Sequence, residues 1–169
     1  MNGQVLSILA ALDLLAVALV VGASIWFFFV QSPALMKRLG RQEFVPLQMR
    51  LSILFFSTAL AAVGVVMVAA LALSGLNLTQ TTISAALALG ATAINRYLVL
   101  PRALRAGGFS RGQRERADEA ASAGDFVAEG AGPSSAVLHR TVVVFVAIML
   151  AALLAHASAV IGMQPWGPE

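Results

Sequence analysis

Asp13, His156, His139, Asn95 and Arg96 are the side chains whose types could do chemistry inside this largely apolar sequence. Asp13 is the only acid within an apolar run, and the two histidines are the only ones present. A carboxylate and an imidazole can share a proton near neutral pH, so Asp13 with His156 would make a proton-responsive or ion-binding pair. A carboxylate at the centre of a bilayer costs roughly 2.5–3.5 kcal/mol, which makes the register of the first apolar run decisive. The charge-free stretch from Leu14 to Met36 can cross a bilayer unaided, and that register leaves Asp13 at the outer interface. This is the preferred reading. The sharper alternative buries Asp13 against His156, which lies a few residues from the outer end of the last apolar run.

His139 and His156 are seventeen residues apart, which is about 25 Å along a helix. They cannot hold one metal together, which excludes a bis-His haem within one chain, and two histidines are too few for a three-histidine metal site. Cysteine is absent, so thiolate ligands and disulfides are excluded. No cofactor is expected. His139-Arg140 is read as the cap on the cytoplasmic start of the last helix. Arg96 either stretches its apolar stem toward the headgroups or turns inward beside Asn95. Asn95 reaches water less easily, so it is expected to bond across helices, toward Glu43 or the backbone near His139. Nucleophile–base–acid sets, phosphate-cradling glycine loops, zinc motifs and paired carboxylates are all missing, and no enzymatic activity is expected.

The elements that must position these groups follow from charge. All eleven Lys and Arg residues fall at 37–50, at 96–116 and at 140, and no charge separates Arg50 from Arg96 or Arg140 from Glu169. At 59% hydrophobic and 11% charged residues, the chain has too little polar surface for a water-soluble globule. The expected fold is all-α: a polytopic bundle of four transmembrane helices at about 5–30, 51–73, 81–100 and 138–161, with a cytoplasmic loop at 101–137. Gln31-Ser32-Pro33 is expected to end the first helix and Pro101 the third, since proline lacks the N–H that continues the ladder. The basic segment 34–50 would lie on the membrane surface, 74–80 would form a tight polar turn, and Ser110 would cap a short helix near 111–122 ahead of a mobile stretch at 124–135. Basic loops on one face place both termini outside a bacterial cytoplasmic membrane. The net charge of +3 is then explained by topology and anionic lipid, not by nucleic acid.

Gly22-Ala23-Ser24 precedes Pro33 at the same spacing as Gly90-Ala91-Thr92 precedes Pro101, and Met49-Arg50 parallels His139-Arg140. Two duplicated helical hairpins would leave such a pattern. Small residues recur every four positions at Ala147, Ala151, Ala155 and Ala159, and Ala18 with Gly22 and Ala86 with Gly90 repeat the spacing. Such stripes let helices approach closely, implying a compact bundle and a homo-oligomer or a subunit of a larger membrane complex.

Gly22 with its following aromatic run and Pro33, the ending Asn95-Arg96-Tyr97-Leu98-Val99-Leu100-Pro101-Arg102, and Leu138-His139-Arg140 opening the last helix together resemble the transmembrane-protein-205-like family, whose domain carries the label domain of unknown function 4149. The likeness covers the whole topology. Arg140-Thr141-Val142 departs from the small or amide residues usual after the family's His. The resemblance implies four helices in a membrane and no particular reaction. The expected function is that of a non-enzymatic assembly partner or stress-tolerance factor. The alternatives are a proton- or metal-linked small-solute carrier using Asp13 and His156, and a membrane haem- or quinone-binding protein.

Overall fold

The computed structural model describes residues 3–75, 79–106 and 133–163, and among these every element is helical. Helix α1 spans Gly3–Ile25 and passes through a π-helical segment, Trp26–Gln31, into α2, Ser32–Leu73. Helix α3, Gln80–Ile94, passes likewise through a π-helical segment, Asn95–Val99, into α4, Leu100–Ala106, and α5 covers Pro133–Met163. Four stretches are long and apolar enough to cross a membrane: Gln4–Gly40, Glu43–Leu73, Gln80–Leu104 and His139–Gly162. Helices suit such sequences because in hydrocarbon each backbone donor and acceptor must be satisfied within its own segment. Large apolar side chains face outward all round, among them Leu12, Leu15, Leu19, Leu54, Val68, Leu87, Val144 and Leu154. So much exposed apolar surface fits lipid, not water.

Neither proline ends its helix. Before Pro33 the ladder loosens to the π register, and the Ser32 N–H donates to the Phe27 carbonyl five residues back. Leu100 N–H does the same to the Asn95 carbonyl immediately before Pro101. One widened turn absorbs the residue that has no N–H to give, so the helix runs on. The first chain reversal falls instead at Gly40, where φ 69° and ψ 171° break the helix inside α2. The stretch 34–50 is therefore the two arms of a helical hairpin, tied by Gln48 Nε2 donating to Ser32 Oγ at 2.7 Å. Helix α5 starts at Pro133, so His139 and Arg140 lie in its second turn and do not cap it. The helix expected near 111–122 and most of the mobile stretch lie outside the described residues.

The two hairpins repeat each other. With Pro33 laid on Pro101, Ser24 falls on Thr92; both are fully buried, and each donates its hydroxyl to the carbonyl four residues back at 2.7 Å. Val17 and Val20 fall on Ala85 and Ala88, all in the core, and Phe29 falls on Tyr97, both exposed. Asp13 falls on Thr81, both fully buried. A common register of π-turn, proline and core face is what an internal duplication predicts. Between the hairpins lies one core of Val17, Val20, Phe56, Val63, Val66, Ala85, Ala88, Met149 and Leu153. Phe27 stacks on Phe55 with ring centroids 4.7 Å apart at the basic-loop end.

Candidate functional site

Asp13 does not reach the protein surface. It is fully buried, as is His156, and Asp13 Oδ2 lies 2.7 Å from His156 Nε2. A hydrogen-bonding partner on α5 sits level with the acid, and an acid held by such a partner no longer has to reach water. Three helices meet here: α1 brings Asp13, α5 brings His156, and α3 brings the Thr81 carbonyl, 3.0 Å from His156 Nδ1. Asp13 and Thr81 occupy matching positions of the two hairpins, so the imidazole bridges the repeat.

The proton count follows from the partners. A carbonyl oxygen only accepts, so Nδ1 carries a hydrogen and donates it to Thr81. Nε2 and Oδ2 at 2.7 Å then need one proton between them, because two lone pairs at that distance repel. Imidazolium with carboxylate, or neutral imidazole with carboxylic acid, both leave the dyad uncharged. That neutrality is what makes it tolerable in an apolar interior. Both ring nitrogens are engaged, so His156 has no free lone pair for a metal. Asp13 Oδ1 is buried with no hydrogen-bond partner among the described residues, and it is the one open valence of the dyad.

The start of α3 is braced by hydroxyls. Thr79 caps the helix by accepting from the Thr82 N–H, Thr79 Oγ1 lies 2.6 Å from Thr81 Oγ1, and Thr82 Oγ1 donates to Ser74 Oγ at 3.1 Å. Ser84 Oγ adds a second bond to the Thr81 carbonyl at 3.0 Å. This network fixes the carbonyl that orients the imidazole, a device seen around metal-bound and catalytic histidines alike. Sequence reasoning missed Thr81 and Ser84; the run Thr79-Gln80-Thr81-Thr82 was the signal, divided there between the end of the 74–80 turn and the start of the third span. Below the dyad each helix turns apolar at once, with Val17 and Val20 on α1, Ala85 and Ala88 on α3, and Leu153 and Met149 on α5.

The other candidates lie elsewhere. Asn95 is buried in the second π-segment and donates Nδ2 to the Val142 carbonyl of α5 at 3.3 Å, not to Glu43. Arg96 Nε donates to Ser57 Oγ of α2 at 2.8 Å. His139 is exposed. The small-residue stripes do not pack inside the bundle: Ala147, Ala151 and Ala155 on α5 are exposed, and so are Gly22 and Gly90, where an added Cβ would meet nothing within 4 Å. Burying His156 rotates α5 so that Met149, Leu153 and Val160 face inward and the alanines outward.

The family model described as Domain of unknown function (DUF4149) matches residues 15–107, more than half of the chain. The chain belongs to this family. The DUF4149 match takes in both π-segments, both prolines, Thr81 and Asn95-Arg96; Asp13 and His156 lie outside it. No curated protein and no solved structure matches the chain.

Proposed function

We propose that this chain is a non-enzymatic protein of the bacterial cytoplasmic membrane, with its basic loops inward, that links a small solute to one proton held on the Asp13–His156 dyad. The observation that carries this is a fully buried acid and imidazole at 2.7 Å with one acid oxygen unpartnered among the described residues. A group of this kind keeps a proton out of water and can surrender it only when something positive or hydrogen-donating takes its place. Positive-inside topology puts the dyad at the outer end, and the apolar core beneath it favours exchange from that side. Among the described residues no three His, Asp or Glu side chains converge, so the proton and not a metal is the coupled species of this reading.

The test is transport in vesicles of purified protein carrying a pH-sensitive dye inside, with a panel of small amines, alkali cations and organic acids outside. Solute-dependent proton movement by the native chain, lost in Asp13→Asn, supports the reading. Identical proton movement in Asp13→Asn sinks it. A second reading, an assembly partner, draws on the exposed small residues Gly22, Gly90, Ala147, Ala151 and Ala155, which no described helix covers.

A further inference from the structure

The geometry points to a phospholipid site at Arg96, on the opposite end of the bundle from the dyad, taking the phosphate of an anionic lipid from the leaflet that faces the basic loops. Arg96 lies inside the membrane-spanning stretch Gln80–Leu104. It is six residues short of Arg102, hence about 9 Å deeper along the helix. Its Nε is pinned on the neighbouring helix by Ser57 Oγ at 2.8 Å, and Ser57 in turn donates to the Ile53 carbonyl at 2.7 Å. The guanidinium carbon sits 5.4 Å from the Tyr97 ring centroid. The fork is therefore held in place while its two terminal nitrogens bond no described residue.

Among the described residues its charge also lacks a counter-ion. Asp13 is committed to His156 at the far end, and Glu43 lies fourteen residues before Ser57, about 21 Å along α2. A cation inside a span pairs with an opposite charge or with carbonyls, or reaches toward the headgroups, and a phosphodiester there accepts two parallel N–H bonds from an arginine fork. Lipid is the partner that reaches this outward-facing position, where Tyr97 and Leu98 are also exposed.

Native mass spectrometry of the full chain in mild detergent tests this with phosphatidylglycerol, phosphatidylcholine and inorganic phosphate as probes. The native chain should retain phosphatidylglycerol, and Arg96→Gln should weaken retention about tenfold, the loss of one charge-assisted contact. Ser57→Ala, which removes only the pin, should weaken it by a smaller factor, and Arg96→Lys should retain part of it. Unchanged retention in Arg96→Gln overturns the site. Equal binding of inorganic phosphate alone overturns the lipid assignment, as does a carboxylate of a second copy cross-linking to Arg96. Melting temperature for each variant separates lost binding from lost folding.

Discussion

Removing both members of the dyad should harm the protein less than removing either one. In His156→Leu, Asp13 keeps its burial and loses its only partner among the described residues, leaving both oxygens unsatisfied there. In Asp13→Leu, His156 keeps its Thr81 bond and strands one lone pair, a desolvation loss of about 1–2 kcal/mol. Neutral interhelical hydrogen bonds in membranes average about 0.6 kcal/mol and reach about 1.7 kcal/mol. The Asp13–His156 contact is short, fully buried and shares a proton, and charge-assisted bonds are roughly twice as strong as neutral ones. The coupling worked from these figures is about 2–3 kcal/mol. Asp13→Leu with His156→Leu leaves two apolar side chains facing each other and should come close to the native stability. The assay is a double-mutant cycle from reversible unfolding in bicelles. A coupling below about 0.5 kcal/mol, the ordinary level for sites that do not interact, would mean that Asp13 and His156 do not share a proton.

Three further outcomes follow. Stability should be greatest where the dyad holds one proton and should fall on both sides, since a second proton leaves a buried positive charge and loss of the first a buried negative one. Among the described residues the other charged side chains (Lys37, Arg38, Glu43, Arg50, Arg96, Arg102 and Arg140) all lie toward the opposite end. Asp13→Asn, whose amide can donate to Nε2 and has no proton to lose, should therefore flatten the alkaline limb of melting temperature against pH. Gly40→Ala should destabilise by about 1–3 kcal/mol in equilibrium unfolding, because φ 69° with ψ 171° is a conformation essentially restricted to glycine. Gly22→Ala and Gly90→Ala should leave monomer stability unchanged or raise it by roughly 0.5–1 kcal/mol per site, as expected of exposed helical positions with open space; if these faces mate with a second copy, the same changes lower the dimer fraction in sedimentation.

The four spans were legible because charge is excluded from hydrocarbon, and the gaps between Arg50 and Arg96 and between Arg140 and Glu169 mark where it is absent. The pairing of Asp13 with His156 was legible only as an alternative. Depth along a helix can be counted, but rotation about its axis cannot when nearly every residue is apolar. The same blindness misplaced the alanine stripe: Ala147, Ala151 and Ala155 share a face by spacing, yet the rotation of α5 is set by one polar residue, His156. Pro33 and Pro101 misled for another reason. Proline signals a helix end unless the preceding turn widens, and a π-turn leaves no mark in composition. Once seen, the two π-turns made the internal repeat far clearer than the short matches around Gly22 and Gly90 had done.

Solid-state ¹⁵N magnetic resonance on histidine-labelled protein in lipid bilayers, with His139→Gln to leave a single signal, reports the protonation of each His156 nitrogen. The expected spectrum has a protonated Nδ1 held against the Thr81 carbonyl and an Nε2 sharing its proton with a carboxyl oxygen, a state lost in Asp13→Leu. A bare Nδ1, or a spectrum indifferent to Asp13, would contradict it.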